Sequence, residues 1–186
     1  MDIGIIAEDQ SDVDVMYELT KKLVETKLFS FKKYLGFGCG KLRHKCSAWA
    51  KNLLSRGCNH LIVLHDLDKN NEKELDEELN NYVWDVGFKR YVILIPIHEI
   101  EAWLLADPEA IKMALNLSSI PNAPKQPESI RDPKERLRDI VWKTDKKRYI
   151  HTVHNKRIAV HIEVKRLNKC RSFQRYPKFI KEIFNN

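Results

Sequence analysis

The sequence predicts an α/β protein in which a mostly parallel sheet is flanked by helices. Short apolar segments at residues 3–7, 60–65 and 91–95 are typical of buried strands. Amphipathic segments separate them, and strands that alternate with helices indicate β-α-β units. The 186 residues include 43% hydrophobic and 32% charged side chains, which is typical of one globular domain and excludes a disordered or fibrous chain.

The first part of the chain alternates strand and helix signals in a regular order. After the first strand, the spacing of Ser11 and Asp14 indicates the start of a helix. Residues 29–36 predict a second strand, and a glycine-rich loop at 36–41 leads into a helix that Gly57 ends. The later elements are a strand at 60–65, a helix at 72–86, a strand at 91–95, a helix at 98–106 and a helix that begins at Pro108.

A proline-rich stretch at residues 118–133 predicts an exposed connector between two parts of the chain. We expect an α/β core at residues 1–117 and a basic, mainly helical C-terminal extension, packed on that core, at residues 134–186. Residues 131–186 hold 17 Lys and Arg against 6 Asp and Glu, a net charge of +11, although the whole chain carries only +7. This asymmetry is typical of a surface that binds a polyanion, but a solvated tail has the same composition.

Within the extension, two segments have a helical pattern and one has a strand pattern. Residues 134–143 and 173–184 place apolar side chains at helical spacing. At residues 157–165 apolar residues alternate with other residues, and this period predicts a strand.

Composition also predicts the cellular environment. No apolar run approaches the roughly 18 residues that a membrane span needs, and the opening residues lack the basic and apolar regions of a signal peptide. The four cysteines are too sparse and irregularly spaced for a disulfide framework. We therefore expect a protein of the reducing cytoplasm that does not bind membranes.

Acidic side chains follow three of the predicted strands, where an open parallel sheet places its ligands. They are Glu8 after the first strand, Asp66 and Asp68 after the strand at 60–65, and Glu99 and Glu101 after the strand at 91–95. Clustered carboxylates repel one another unless a cation neutralises them, and Mg²⁺ or Mn²⁺ prefers such oxygen ligands. One such carboxylate alone is more often a turn residue or a helix cap, but three strand ends together predict a metal site.

Histidine and basic residues supply further candidates. His98 precedes Glu99 and is a candidate for proton transfer, although a packing role fits it as well; for His65 we favour packing. A basic set predicts contacts with nucleic-acid phosphates: Lys41, Lys146, Lys147, Arg148, Lys156 and Arg157. Tyr149 and Tyr176 either stack on bases or belong to the core. The loop around Lys41 lacks the Walker pattern, so we do not expect ATP hydrolysis.

These residues together resemble the TOPRIM domain, which topoisomerases, primases and OLD-family nucleases share. The whole chain is similar to a small stand-alone TOPRIM-like family of bacterial proteins. The matching segments are Ile5-Ile6-Ala7-Glu8, Gly38-Cys39-Gly40-Lys41-Leu42, Val63-Leu64-His65-Asp66-Leu67-Asp68, Ile97-His98-Glu99-Ile100-Glu101-Ala102-Trp103 and Cys170-Arg171-Ser172-Phe173. The usual glycine two residues after the first Glu is replaced here by Gln10.

The resemblance implies a TOPRIM/Rossmann-like fold and a Mg²⁺-dependent nuclease of DNA or RNA. Carried over by position, Asp66 and Asp68 bind metal, and Glu8 binds metal or acts as a general acid or base. Glu99 and Glu101 match only the smaller family, in which one of them would support a second ion. Relatives often occur beside an ATPase, which implies an ATPase partner in bacterial anti-phage defence or repair.

Two other functions remain open at this stage. The first is a non-catalytic subunit that keeps the fold and binds an ATPase or nucleic acid. The second is primase-like nucleotidyl transfer, which needs a nucleotide-binding element that the sequence does not show.

Overall fold

The computed structural model, which describes residues 1–24 and 27–185, contains a four-stranded parallel sheet with helices on both faces. The strands are β1 (Asp2–Ala7), β2 (Ser30–Leu35), β3 (His60–Leu64) and β4 (Arg90–Leu94). The helices are α1 (Gln10–Val24), α2 (Cys39–Ser55), α3 (Glu72–Val83), α4 (Glu101–Leu105), α5 (Pro108–Leu115), α6 (Pro133–Asp145), α7 (His151–His161) and α8 (Arg175–Phe184). The predicted α/β class is confirmed, in a Rossmann-like arrangement.

The strand order β2-β1-β3-β4 places the two strands with the most buried residues at the centre of the sheet. From β1 the chain first crosses to β2 at one edge, then returns over β1 to β3 and continues to β4. Right-handed crossovers in opposite directions put their helices on opposite faces. Accordingly, α1 packs on one face of the sheet, and α2 and α3 pack on the other.

Two apolar cores result, one on each face of the sheet. Neighbouring residues of β1 face opposite ways, so Ile5 lies in the core beneath α1 and Ile6 lies in the core beneath α2 and α3. The C-terminal helices belong to the first core, where Leu137, Ile158 and Phe173 are buried with Ile5. The C-terminal part is therefore packed directly on the α1 face of the sheet.

The predicted strand at 157–165 is wrong, because this segment forms the end of α7, two residues without regular structure and the start of a 3₁₀ helix at Val164–Lys169. Ile158 and Ile162 are buried four residues apart, whereas Val160 between them is 44% exposed. Alternate apolar residues include pairs at i and i+4, which also share one face of a helix. Because residues 151–161 are helical, the side chains that are buried lie four residues apart and not two.

Two smaller expectations also change. The first helix begins at Gln10, and Asp9 and Asp12, rather than Ser11 and Asp14, exchange the capping hydrogen bonds. The segment 118–133 is only partly exposed, because its prolines at 121 and 127 are buried.

Other features of the described residues concern tryptophans, cysteines and membrane spans. Trp103 is fully buried, whereas Trp84 and Trp142 are exposed. Cys46, Cys58 and Cys170 are free and buried, while the side chain of Cys39 lies outside the described part. Among the described helices, none has the length and apolarity that crossing a bilayer requires.

Gly36 closes the turn that joins β2 to α2. Its N–H donates to the carbonyl of Ala7 at 2.9 Å, which ties this turn to the end of β1. A Cβ at this position would lie 2.9 Å from the Gly38 carbonyl oxygen and 2.8 Å from the Leu42 Cβ. By contrast, a Cβ on Gly40 in α2 would meet no atom within 4 Å.

We expect Gly36→Ala to lower the free energy of unfolding by about 1–3 kcal/mol, because the backbone must move to admit the methyl group. Gly40→Ala is the matched control, and it should raise the free energy of unfolding by up to about 1 kcal/mol because Ala is the better helix residue. Urea denaturation measures both. Equal effects of the two substitutions would contradict the close approach at Gly36.

Candidate active site

The carboxyl ends of β1 and β3 lie side by side at the point where the chain reverses its direction across the sheet. β1 is paired with β2 on one side and with β3 on the other, so the connections after β1 and β3 diverge. Ligands of open parallel sheets bind in the crevice that such a switch point leaves. Glu8 directly follows β1, and Asp66 follows β3 by two residues.

Glu8 and Asp66 are joined by a hydrogen bond across this point. The Asp66 N–H donates to Glu8 Oε1 at 3.1 Å. The Asp66 side chain in turn accepts the Ile100 N–H at 3.1 Å, just before α4. Both carboxylates are therefore oriented by backbone donors, which do not depend on flexible side chains.

His65 lies beneath these carboxylates and is completely buried. Its Nδ1 is 2.7 Å from the Asp66 carbonyl oxygen and 3.5 Å from Glu8 Oε1. Its Nε2 has no hydrogen-bond partner among the residues that the structure describes. The packing role that we favoured for His65 fits this position, which also supports the Glu8 side chain.

The loops after β3 and β4 continue the parallel pairing beyond the strands themselves. The N–H groups of His65, Leu67 and Asp68 donate to the carbonyls of Leu94, Pro96 and His98, at 3.1, 3.0 and 3.2 Å respectively. This ladder brings Asp68 and His98 together. Both have left-handed backbone, with φ of 47° and 64°, a conformation that costs non-glycine residues about 1 kcal/mol or more and is concentrated at functional sites.

Asp68 and His98 line an open cleft of ≈ 590 Å³, together with Glu99. Basic side chains surround the same cleft, among them Arg43, Lys69 and Arg131. The lining of the cleft therefore combines carboxylates with cations, which suits a phosphate-bearing ligand.

Asp12 is a fourth carboxylate of the cluster, and the sequence analysis did not identify it. It lies in the first turn of α1, where its Oδ2 accepts the Asp9 N–H at 3.1 Å and its own N–H donates to Asp9 Oδ1 at 3.1 Å. Burial raises the pKa of Asp12 well above its usual value, and the charges of Asp9, Glu101 and Glu8 raise it further. One sequence signal could have identified Asp12: it lies four residues after Glu8, in the first turn of the helix that follows the strand.

The same effects act on the other members of the cluster. Burial raises the pKa of Asp66 well above its usual value, and the negative charges of Asp12 and Glu8 add to this effect. Burial also raises the pKa of Glu8, although His65 and the Asp66 N–H act in the opposite direction. The fold thus holds several carboxylates together at a cost in free energy that a bound cation would remove.

Lys134, which the sequence analysis also missed, is the cation that contacts the acidic side chains after β4. Its Nζ lies 3.4 Å from Glu99 Oε1 and 3.8 Å from Glu101 Oε1, and its N–H donates to Glu99 Oε2 at 3.1 Å. Burial lowers the pKa of Lys134, but the charges of Glu101, Glu99 and Asp66 outweigh burial, and the net shift is upward. Nothing in the local sequence distinguishes this lysine from its neighbours.

Glu101 is buried in a polar network rather than facing the cleft. It is 2% exposed, and its Oε1 accepts from Asn155 at 3.1 Å and from the Tyr149 hydroxyl at 3.5 Å. Burial raises the pKa of Glu101, while Lys134 lowers it. Asn155 also donates to Ser11 at 2.9 Å, so Glu101 connects α4 with both α7 and α1.

The donor set fits a hard divalent cation. In residues 1–24 and 27–185, no group of three or more His, Cys, Asp or Glu side chains is arranged so that it could hold a metal ion. Mg²⁺ nevertheless commonly binds through one or two carboxylates, and completes its shell with waters and substrate phosphates. Glu8 and Asp66 are joined by a hydrogen bond and Asp68 is exposed at the cleft, whereas Glu99 and Glu101 contact Lys134.

The predicted nucleic-acid-binding residues have different surroundings. Arg148, Lys156, Arg157 and Lys41 are exposed, and so is Lys146, which ends α6. Lys147 instead contacts the backbone carbonyls of Leu115 and Asn116, and its Nζ lies 3.6 Å from Asp145. Five of the six therefore face solvent, and Lys147 fixes the end of α5 to the end of α6.

The basic segment adjoins the acidic site. Ser11 lies within 3.5 Å of the His151 carbonyl oxygen, and His151 Nε2 is 3.9 Å from Asp9 Oδ2. The start of α7 thus packs against the start of α1, one residue from Glu8. Tyr149 and Tyr176, for which base stacking and core packing were both open, are buried, so core packing is their role here.

We expect Asp12→Asn to stabilise the metal-free protein at pH 8, raising the melting temperature by a few degrees. Folding raises the pKa of Asp12, so the folded state disfavours its ionised form. That penalty is absent below the unfolded pKa of about 3.9 and grows as the pH rises through the folded pKa. Asn retains the oxygen that accepts the Asp9 N–H.

Thermal unfolding in EDTA at pH 8 and near pH 4.5 checks this expectation, with the exposed Asp85→Asn as the matched control for the loss of one charge. The gain from Asp12→Asn should shrink at the lower pH. A loss of stability at both pH values would mean that the capping geometry, and not the charge, dominates at this position.

Comparison with known families assigns most of the chain. Residues 7–181 match the model of the DUF4276 family, which is described as a domain of unknown function. No match was found among curated proteins or among solved structures. The matched region extends from the last residue of β1 to α8, and so includes the whole candidate site. The chain therefore belongs to the DUF4276 family.

Proposed function

We propose that this chain is a Mg²⁺- or Mn²⁺-dependent nuclease that hydrolyses phosphodiester bonds in DNA or RNA. The observation that carries the proposal is the convergence of Glu8, Asp12, Asp66 and Asp68 at the switch point of the sheet. Asp12 is buried, and Glu8 and Asp66 are partly buried. Carboxylates held in this way without cations disfavour folding, so their retention at one place points to a cationic ligand. The resemblance of the strand-end motifs to the TOPRIM domain supports the same chemistry.

Asp66 and Asp68 are the residues that we assign to metal binding, with Glu8 beside them. A bound Mg²⁺ would polarise the phosphate and lower the pKa of a water molecule. Glu8 is suited to accept a proton from the attacking water, because its raised pKa brings it closer to the pH at which it acts. His98, which lines the cleft, is our candidate to donate a proton to the leaving oxygen.

Glu99 and Glu101 have a different role in this proposal. Because both contact Lys134, we assign to them the positioning of that lysine at the edge of the cleft. The positive charges of Lys134 and of the exposed basic residues of the C-terminal part offset the field of the carboxylates. Without them, the acidic cluster would repel a polyanionic substrate.

The cellular context is part of the proposal. We infer a cytoplasmic protein that acts with an ATPase partner in bacterial anti-phage defence or repair, in line with the family that its motifs resemble. The free, buried cysteines at 46, 58 and 170 are consistent with a reducing compartment.

A non-catalytic subunit that binds an ATPase or nucleic acid is the second candidate. The observation that favours it is that the described residues lack a ready group of three metal-ligating side chains. In that case the polar network around Glu101 and Lys134 would stabilise the fold, and the cleft would bind the partner without catalysing a reaction.

Glu8→Gln separates the two candidates. We expect this change to slow cleavage of nucleic acid by about 10²–10⁴-fold, because Gln cannot accept the proton from water. Folding and nucleic-acid binding should persist, since the Gln oxygen can still accept the Asp66 N–H. Cleavage in Mg²⁺ or Mn²⁺, measured with and without a neighbouring ATPase, provides the test.

The matched control is Glu77→Gln, which removes one exposed carboxylate of α3 and should cleave at the parental rate. Parental cleavage by Glu8→Gln would exclude a catalytic role for Glu8. Absence of cleavage in the parent under all these conditions, with binding intact, would favour the binding subunit.

Metal binding is tested independently of cleavage. We expect Mg²⁺ or Mn²⁺ to raise the melting temperature of the parent, because a ligand of the folded state alone stabilises it by mass action. The double change Asp66→Asn with Asp68→Asn should abolish this shift. Asp85→Asn with Asp139→Asn removes two exposed charges elsewhere and should preserve it; a parental shift in the Asp66/Asp68 variant would place the metal elsewhere.

A further inference from the structure

Phe37 and Trp142 are exposed aromatic side chains, and each has a lysine beside its ring. Phe37, between β2 and α2, is 78% exposed, and Lys41 Nζ lies 5.4 Å from its ring centroid. Trp142 on α6 is 54% exposed, and Lys146 Nζ lies 5.6 Å from its ring. A flat apolar ring beside a cation matches a ligand that carries both a flat ring and a negative charge.

Both pairs adjoin the segment that holds Glu8. The Phe37 N–H donates to the Glu8 carbonyl at 2.8 Å, which fixes this loop to the end of β1. Trp142 lines a cleft of ≈ 610 Å³ with Arg148 and His151, and His151 lies beside Asp9. The Phe37 ring therefore lies on the loop that is bound to Glu8, and the cleft that Trp142 lines borders Asp9 through His151.

Packing does not account for the position of Phe37. Its backbone is left-handed, with φ of 50°, a conformation that costs an ordinary side chain about 1–2 kcal/mol. In this conformation the ring remains in solvent, where it adds nothing to the apolar core. Phe37 thus has a strained backbone and an exposed ring, and its N–H is hydrogen-bonded to the Glu8 carbonyl. This combination indicates a role in binding rather than in folding.

We propose that the site takes an unpaired, single-stranded stretch of nucleic acid, with bases stacked on Phe37 and Trp142 and phosphates on Lys41 and Lys146. This inference rests on the proposed nuclease function and names its substrate class. In a duplex both faces of each base are covered by neighbouring bases, so only an unpaired strand can stack on an external ring. Because every base has such a face, recognition should tolerate any sequence.

The test uses the Glu8→Gln background, so that binding is measured without cleavage. Short oligo(dT) and oligo(U) distinguish DNA from RNA as the source of the strand, and a duplex of equal length is the comparison. We expect single strands to bind more tightly than the duplex. Phe37→Ala and Trp142→Ala should each weaken that binding by roughly 5- to 100-fold, with the melting temperature unchanged.

Matched variants separate stacking from general apolarity. Trp142→Phe and Phe37→Tyr keep a flat ring and should retain most of the binding, whereas Phe37→Leu should lose it as Phe37→Ala does. Trp84→Ala removes another exposed tryptophan, 67% exposed at the C-terminal end of α3, and should have no effect.

Parental affinity in both alanine variants would overturn the inference and would reassign the exposed rings to a protein contact. Duplex binding as tight as single-strand binding would overturn it as well. The nuclease proposal fails separately. If single strands bind through the two rings but the parent does not cleave them, only the nuclease proposal is overturned. If the parent cleaves nucleic acid and the loss of both rings has no effect, only the proposed substrate class is overturned.

Discussion

The carboxylates at the ends of β1 and β3 repel one another, and the surrounding structure must hold them together against this repulsion. The strand order puts these two ends side by side at the centre of the sheet, so Glu8, Asp12 and Asp66 cannot move apart without loss of the fold. Burial and proximity raise the pKa of all three. The cluster is tolerated because the sheet that imposes it also buries the two cores on its faces.

Backbone N–H groups are the common means by which these side chains are held. Asp66 donates to Glu8, Ile100 to Asp66, Asp9 to Asp12 and Lys134 to Glu99. Hydrogen bonds from N–H groups to an ionised carboxylate are stronger than those between neutral groups. They also orient each carboxylate without neutralising it, so the charges of Glu8, Asp12 and Asp66 remain available to a cation, while Glu99 is paired with Lys134.

The sequence predicted those parts of the site that depend on strand ends. Apolar runs located β1, β3 and β4, and a parallel sheet then required Glu8 and Asp66 to meet. Asp12 and Lys134 were not found, because each reaches the site through tertiary packing of a helix start that looks ordinary in sequence. The segment at 157–165 was misassigned because Ile158 and Ile162 satisfy both the strand period and the helical period. The left-handed backbone at Asp68 and His98 also has no local sequence signal, since neither is a glycine.

The stretch at 118–133 has the composition of an exposed connector, but its hydrogen bonds hold neighbouring elements together. The Glu128 carboxylate accepts the N–H groups of Arg171 and Ser172 at 2.7 and 3.1 Å, and Ser172 also accepts from Trp103 at 2.8 Å. Pro133 then begins α6 and delivers Lys134 to Glu99. Proteases and inserted sequences need backbone that can leave the surface, whereas here the Ser118 N–H donates to Asp145 and the Lys134 N–H donates to Glu99. A tag or a reporter domain placed in this stretch would separate the lysine from its carboxylates, so such insertions should be made elsewhere in the chain.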